Sequence, residues 1–301
     1  MTFPVRSNYE NFTVALHRPD CCGGEHSAAL IAPHPLFFSR SRVKRVEGIA
    51  RVSAPFEGKG GESNTLGGYL VLVISVAAGI LLNTRTTRER VFSFGLIALA
   101  FPVVLFTLSR GSWLSMLLAI LALFFLSPRG KTVLFIGVLA AILVAPMVIP
   151  RQVEERVKST FVGPKKFKVG TQSITLDEST TARLDTWKHG FSAWVYEPVF
   201  GFGVSHAGPA FDNQYMRVLI ETGIVGLFAF LLIIASIYKT ALASLRQLGE
   251  DGFYRGYLTG LMAGLTGLLL HSCTAATFIV IRIMEPFWFL VAIAAVLPEL
   301  E

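Results

Sequence analysis

The sequence contains little charge for its length. Asp, Glu, Lys and Arg make up 16% of the 301 residues, whereas hydrophobic residues make up 52% and the mean hydropathy is +0.57. A soluble globular domain is usually about one-quarter charged. Long runs without any charge recur along the chain. Together these features predict a polytopic membrane protein and exclude a large soluble core.

Cysteine is also scarce. Cys21 and Cys22 are adjacent, and Cys273 lies in an apolar stretch. This spacing provides neither a disulfide framework nor a set of metal ligands, so we expect no metal site. The region from Met1 to Arg45 has no continuous apolar segment, which predicts no signal peptide there. Insertion into the membrane would then depend on the later spans.

Positive charge exceeds negative charge, with a net charge of +7. In a soluble protein this excess could indicate nucleic-acid binding. In a membrane protein, Lys and Arg more often set the topology and contact anionic lipid headgroups. We therefore expect membrane lipid as a partner and no nucleic acid.

The predicted fold class is an all-α polytopic membrane protein with about seven transmembrane helices. Residues 1–45 are interpreted as an irregular tail, either disordered or produced by a misassigned start codon. Residues 46–66 form a Gly-rich loop before the first span, which lies between Glu62 and Arg85. Such runs can cross ~30 Å of hydrocarbon at ~1.5 Å per residue. The later predicted spans are Val91–Ser109, Gly111–Pro128, Thr132–Pro150, Thr222–Tyr238, Gly256–Ile281 and Pro286–Pro298.

The connectors predict the orientation of these spans. Asn83–Arg90, Ser127–Lys131 and Lys239–Arg255 are basic, so the positive-inside bias assigns them to the cytoplasm. The large loop 151–216 is then extracytoplasmic and is expected to contain short amphipathic helices. One such helix is expected at Arg151–Thr160, and residues 162–168 are expected to be extended or turning. A second helix is expected after an N-cap at residue 179 or 180 and is expected to end before Pro198.

Two arginines are candidates for substrate binding. Arg110 interrupts the long uncharged stretch between Arg90 and Arg129, at the predicted outer mouth. It could simply snorkel to the interface, but a guanidinium also binds phosphate oxygens in bidentate fashion. The start of the next helix would favour an anion as well. Arg183 lies one turn before Trp187, where the pattern alone favours a solvated face.

Titratable residues surround a glycine-rich turn in the outer loop. Gly201, Gly203 and Gly208 lack the preceding strand of a dinucleotide-binding fingerprint, so they predict a tight turn. His206, Asp212 and Glu221 lie around this turn. Each alone is more often structural, but beside arginines they make a reactive site plausible.

Several motifs resemble the O-antigen ligase and polymerase superfamily. The resemblance covers roughly residues 46–298 and depends on the order and spacing of short motifs. These are PFEGKGGESNTLGGYL at 55–70, SRG at 109–111, RLDTW at 183–187, PVFGFG at 198–203 and DNQYMRVLIETGIVGL at 212–227.

The resemblance implies an inverting, metal-independent glycosyltransferase without a cofactor, in the bacterial inner membrane with its active site on the extracytoplasmic face. Its donor would be a glycan on undecaprenyl diphosphate, and its acceptor another glycan or a lipid. Polysaccharide chain-length or export proteins would be further partners. Catalytic roles are expected for Arg110, Arg183, Asp212, His206 and Glu221. Substrate-binding roles are expected for Arg110, Arg183, Asn213, Tyr215, Gly203 and Asn64.

Two departures from the family pattern keep alternatives open. Family ligases have a histidine followed by Asn and Tyr where this chain has Asp212. This difference favours a polymerase over a ligase that transfers glycan to a lipid core. The chain also has fewer spans before the Gly-rich loop, which is expected of an inactive truncated remnant. A polysaccharide or lipid transporter is a further alternative, although it would place ionisable groups within spans and show repeated halves.

Overall fold

The structure is a computed structural model. It describes residues 43–46, 49–53, 62–127, 130–132, 134–139, 151–158, 165–169, 172–176, 178–208, 211–248 and 252–297. Nearly all of the predicted tail 1–45 and most of the predicted span Thr132–Pro150 lie outside these residues.

Helices dominate the described part of the chain, and two short antiparallel hairpins accompany them. The hairpins are β1 (Val43–Val46) with β2 (Ile49–Val52), and β3 (Lys165–Val169) with β4 (Gln172–Leu176). Between the two hairpins lie α1 (Ser63–Asn83), α2 (Thr87–Phe106), α3 (Arg110–Leu126) and α4 (Arg151–Lys158). After the second hairpin follow α5 (Glu178–Trp194), α6 (Gln214–Gln247), α7 (Gly252–His271) and α8 (Ile281–Val296).

Glycines let α1 and α7 pack with their backbones almost in contact. A Cβ atom added to Gly256 would lie 2.6 Å from the carbonyl oxygen of Gly79, and one added to Gly260 would lie 2.7 Å from that of Ser75. Both distances are too short for any side chain. Small residues at such crossings are typical of helix pairs in membranes, because close approach gains van der Waals contact where the hydrophobic effect contributes little.

Two apolar clusters attach the other helices to this pair. One joins α1, α2 and α3 through side chains such as Val71, Val104 and Met116. The other joins α6, α7 and α8 and includes the fully buried Phe287. Together they hold the start of α3, the end of α7 and the start of α6 near one another.

The apolar surface confirms a membrane protein. Within the described residues, three helices are long and apolar enough to cross a bilayer, namely α1, α2 and α6, and α3 is a shorter apolar helix of 17 residues. Large apolar side chains on α2 and α6, including Phe92, Leu99, Phe228 and Leu232, are exposed. Such surfaces suit lipid rather than water. The count of seven spans and the sidedness of the loops stay predictions.

Some boundaries differ from the predicted ones. α5 begins at Glu178, so the predicted N-cap residues 179 and 180 lie within its first turn. α7 ends at His271, ten residues before the predicted end at Ile281. Its last carbonyl accepts hydrogen bonds from the amides of Thr274 and Ala275 and from the Thr274 hydroxyl. Hydroxyl side chains compete with helical hydrogen bonding in this way, and a turn follows the helix.

Other local predictions are confirmed. α4 begins at Arg151 as expected and ends at Lys158. β3 is extended over Lys165–Val169 and so overlaps the segment 162–168, which was expected to be extended or turning. Its partner β4 was not predicted, because pairing of two short polar strands leaves no clear hydrophobic period.

Candidate functional site

A tight turn between α2 and α3 presents Arg110. The buried Leu108 adopts a φ of 51° in this turn, which is uncommon outside glycine. Ser109 then caps α3, since its hydroxyl oxygen accepts a hydrogen bond from the amide of Ser112 at 3.3 Å. Arg110 is the first residue of the helix, so its guanidinium extends from the helix end rather than from a lipid-facing side.

The helix α5 brings Arg110 and Arg183 to one place. Arg110 Nη2 donates a hydrogen bond to Ser179 Oγ at 2.8 Å. Ser179 and Arg183 are four residues apart on α5 and therefore lie on one face of that helix. Arg110 therefore contacts α5 one helical turn before Arg183, although the two arginines are 73 positions apart in the numbering.

Asp212 lies beside Arg183. Arg183 Nε is 3.7 Å from Asp212 Oδ2, a distance that indicates an ion pair without a well-formed hydrogen bond. The Asp212 side chain is 51% exposed, and that of Arg183 is 26% exposed. The carboxylate thus contacts a cation while keeping half of its surface open to a substrate.

Asn213 fixes the backbone next to Asp212. Its Oδ1 accepts a hydrogen bond from the amide of Met216 at 3.0 Å, which caps α6. Its Nδ2 donates to the carbonyl of Cys273 at 3.2 Å. Cys273 lies in the turn after α7, where partial burial raises the pKa of its thiol. Asn213 therefore ties the start of α6 to the end of α7.

A cleft of about 190 Å³ opens beside Asp212. It lies between the start of α1, the start of α6 and the turn from α7 to α8. Its lining mixes charged, polar and apolar groups. The lining residues are Glu62, Asn64, Thr65, Phe211, Asp212, Arg217, His271, Ala275, Ala276, Thr277, Ile279, Val280 and Ile283.

One wall of the cleft is held by hydroxyl groups and a histidine. Ser109 Oγ donates to Asn64 Oδ1 at 2.8 Å, and Ser112 Oγ donates to Ser109 Oγ at 2.8 Å. The Ser112 hydroxyl also lies 3.3 Å from Nε2 of His271. On the other side of the ring, Nδ1 of His271 lies 2.8 Å from the Thr277 hydroxyl. This chain of contacts links α1, α3, α7 and the turn before α8.

A second arginine–carboxylate pair lies at the start of α6. Arg217 Nη1 is 3.3 Å from Glu221 Oε1, and Arg217 Nη2 donates to the carbonyl of Gly208. The Arg217 Nε is buried and has no hydrogen-bond partner among the residues that the structure describes. Arg217 lines the cleft, whereas the buried Glu221 lies behind it.

Arg110 and Arg183 are not among the residues that line the cleft, and neither are His206, Tyr215 and Gly203. The His206 ring stacks on Phe202 with 4.6 Å between ring centroids and is exposed. The Tyr215 hydroxyl donates to the carbonyl of Leu269 at 2.7 Å, which holds α6 against α7. The Gly203 amide donates to the carbonyl of Glu221 at 2.9 Å. Their catalytic and substrate-binding roles stay predictions.

Sequence reasoning missed His271, Ser112 and Arg217. His271 lies inside the predicted span Gly256–Ile281, and a histidine in an otherwise apolar run was a signal that could have been used. Arg217 was part of the quoted motif at 212–227 without an assigned role, and Ser112 directly follows the SRG motif at 109–111. Among the described residues, no three His, Cys, Asp or Glu side chains are close enough to hold a metal ion.

Residues 95–231 match the Wzy_C family model, described as O-antigen ligase. The matched segment runs from α2 into α6 and includes Arg110, Arg183 and Asp212. The search of curated proteins gave no match. The family points to a membrane enzyme of the ligase or polymerase type, with lipid-linked glycan and acceptor substrates. The match of residues 95–231 to the O-antigen ligase family model supports the O-antigen ligase-related superfamily for this membrane protein.

Proposed function

We propose that this protein is a glycosyltransferase that joins glycan from an undecaprenyl-diphosphate carrier to a growing polysaccharide. The observation that carries the proposal is that Arg110 bonds to α5 one turn before Arg183, and that Arg183 lies 3.7 Å from Asp212, which lines the cleft. Glycan transfer that releases a diphosphate needs cations to stabilise the leaving group and a base to accept a proton. The two arginines and the half-exposed carboxylate supply these groups.

The two arginines would bind and stabilise the leaving group. Breaking the bond between the anomeric carbon and the phosphate oxygen leaves both bonding electrons on the lipid diphosphate. Guanidinium groups positioned in advance stabilise this charge without reorganisation during the reaction. Loss of one such donor typically costs about 10²–10³-fold in turnover.

Asp212 would accept the proton of the attacking hydroxyl. The acceptor oxygen forms a bond to the anomeric carbon as the bond to the diphosphate breaks, and the hydroxyl proton passes to the carboxylate. A single displacement of this kind inverts the configuration at the anomeric carbon. Asp212 is the predicted base that lines the cleft, which favours it over His206 and Glu221. General base catalysis of this kind contributes about 10²–10⁴-fold.

We propose two kinds of role for the other predicted substrate-binding residues: direct contact with the substrate, and support of the residues around the cleft. Asn64 lines the cleft, so its amide would contact sugar hydroxyls directly. Asn213 and Tyr215 would hold the cleft wall through their bonds to the turn after α7 and to Leu269. Gly203 would act through its backbone bond to Glu221.

We also propose that residues 46–298 form one functional membrane domain, with the loop 151–216 on the extracytoplasmic side of the bacterial inner membrane. A lipid-borne diphosphate would reach the arginines at the surface of the bilayer. Chain-length or export proteins would then act on the polymer that leaves the site.

A reconstituted transfer assay tests the proposal. Purified protein in vesicles receives lipid-linked oligosaccharide, and polymer formation is followed by gel electrophoresis. We expect Arg183→Ala to reduce transfer about 10²–10³-fold. Lys188→Ala, on the same helix and exposed, is the matched control and should retain full transfer. Equal transfer rates for Arg183→Ala and the unchanged protein would contradict the proposal that Arg183 stabilises the diphosphate leaving group.

The matched family description favours a second candidate, transfer to a lipid acceptor as in an O-antigen ligase. The same assay distinguishes the two when a lipid acceptor is added. Both reactions release free carrier diphosphate. A polymerase leaves a lengthened glycan on a second carrier lipid, whereas a ligase moves the glycan to the added lipid acceptor. The absence of both products with folded protein would favour the transporter or remnant alternatives.

A further inference from the structure

An exposed apolar loop follows α5. The segment 195–204 lies outside any helix or strand, yet most of its side chains are large and apolar. Phe200 is 74% exposed and Val199 is 48% exposed. Contiguous exposed apolar groups of this kind mark a surface that is covered by something other than water.

This loop docks onto an opening in α6. Gly223 has φ 65° and ψ −164°, so the helical hydrogen bonds are interrupted there. The carbonyls of Ile220 and Glu221 would normally accept from the amides four residues later. They accept instead from Phe202 and Gly203, both at 2.9 Å.

The exchange is reciprocal. The two amides released in α6, those of Ile224 and Val225, donate to the carbonyls of Pro198 (2.9 Å) and Val199 (3.3 Å). A Cβ atom on Gly223 would overlap the carbonyl of Val199, so only glycine permits this approach. The loop and the opened helix thus complete each other's backbone hydrogen bonds.

Satisfied backbone groups allow an irregular segment to enter hydrocarbon. Non-helical backbone at membrane depth is tolerated where it is buried in protein. The backbone of this loop lies against α6, to which the amides of Phe202 and Gly203 donate, and the amide of Gly201 donates to the carbonyl of Glu197. These hydrogen bonds lower the cost of placing the loop at the edge of the hydrocarbon.

The position along α6 sets the depth. Lys239 marks the predicted far boundary of this span, and Ile224 is 15 residues before it, or about 23 Å along a helix. The hydrocarbon layer is about 30 Å thick. The docked loop then lies at or just below the near surface of the hydrocarbon, and any tilt of the helix brings it deeper.

The apolar loop is also continuous with the side of α6 that faces lipid. Val199 and Phe200 adjoin Ile224, Val225 and Phe228, which are exposed on an apolar helix long enough to span the membrane. We propose that the loop 197–203 is a re-entrant segment whose Val199 and Phe200 side chains insert among lipid acyl chains beside α6. The partner of this surface is membrane lipid, independently of the reaction that the cleft supports.

Spin labelling tests the proposal. The three native cysteines are replaced by serine, and a nitroxide is attached at Phe200→Cys in the full-length protein in phosphatidylcholine vesicles. Accessibility to molecular oxygen is compared with accessibility to a water-soluble nickel chelate. Leu232→Cys, exposed on the apolar face of α6, provides the lipid reference, and Glu154→Cys, exposed on the charged α4, provides the water reference.

We expect the ratio of oxygen to nickel accessibility at position 200 to resemble that at position 232 and to exceed that at position 154 several-fold. A ratio equal to that of position 154 would overturn the proposal. Low accessibility to both reagents would also overturn it, because protein and not lipid would then cover the loop. Val199→Cys is the second labelled site if Phe200→Cys does not give a monodisperse protein.

Discussion

The Arg110 guanidinium donates a hydrogen bond to the Ser179 hydroxyl at 2.8 Å, across 69 residues of sequence. This bond joins the start of α3 to the first turn of α5. It brings the arginine of one motif next to the arginine of another, Arg183, which lies four residues after Ser179. The proposed anion site depends on this bond more than on either helix alone.

Removing the Ser179 hydroxyl should slow glycan transfer, because Arg110 loses the hydrogen bond that positions its guanidinium group. A hydrogen bond to a charged group contributes about 1.5–3 kcal/mol, so Ser179→Ala should slow transfer at least tenfold. Arg110→Ala should slow it further, and the double variant should be no slower than Arg110→Ala alone. Initial rates in the vesicle assay measure all three. Additive losses would show that Ser179 does not act through Arg110.

Asp212→Asn should abolish most of the turnover while leaving the protein folded. The amide keeps the size of the side chain but cannot take a proton, so we expect a fall of about 10²–10⁴-fold in kcat. Asp185→Asn, the same change on α5, is the control and should be active. Full turnover by Asp212→Asn would transfer the base role to another residue.

Gly223→Ala should destabilise the protein strongly. The residue has a φ of 65° and its added methyl group would overlap the Val199 carbonyl, so strain and a backbone clash combine. Gly208→Ala is a matched control, because Gly208 has the same φ of 65° with open space around it. Gly208→Ala should cost only the strain of about 1–3 kcal/mol. Thermal unfolding in detergent gives the melting temperatures of both variants. Equal melting temperatures would contradict the docking of the loop onto α6.

Gly256→Ala should loosen the contact between α1 and α7. The new methyl group would lie 2.6 Å from the Gly79 carbonyl oxygen, so the helices must separate. Gly95→Ala in α2 meets no atom within 4 Å and should be neutral or slightly stabilising, since alanine favours helix more than glycine does. The melting temperatures of the two variants are compared with that of the unchanged protein. A Gly256→Ala variant as stable as the unchanged protein would argue against this packing of α1 and α7.

Ser112→Ala should destabilise the wall of the cleft. The change leaves Nε2 of the fully buried His271 without its hydroxyl partner, at a cost of about 1–3 kcal/mol. Ser236→Ala is the control, because that exposed hydroxyl bonds only to the carbonyl of Leu232 on its own helix. If both variants unfold at the same temperature, the His271 contact contributes nothing to stability.

The sequence by itself determined the membrane character and most helix positions, and it identified Arg110 as a candidate site residue. These follow from local patterns, since a charge-free run of about 20 residues is nearly always a span and an isolated arginine beside it is costly. The role predicted for Arg183 came from the family resemblance, because its local pattern favours a solvated face. The sequence did not reveal that His271 lines the cleft or that Ser112 contacts it. These two residues are 159 positions apart, so no local pattern joins them.

Only the tertiary structure decided how the motifs meet. The segments 198–203 and 220–225 each contain glycines that predict turns, but nothing in either segment indicates that they exchange backbone hydrogen bonds. The sequence reports the conformational freedom of Gly223, whereas the partner of its opened helix is a property of packing. A helix can release two amides and two carbonyls in an apolar layer only if another segment supplies matching groups, and that match exists in three dimensions alone.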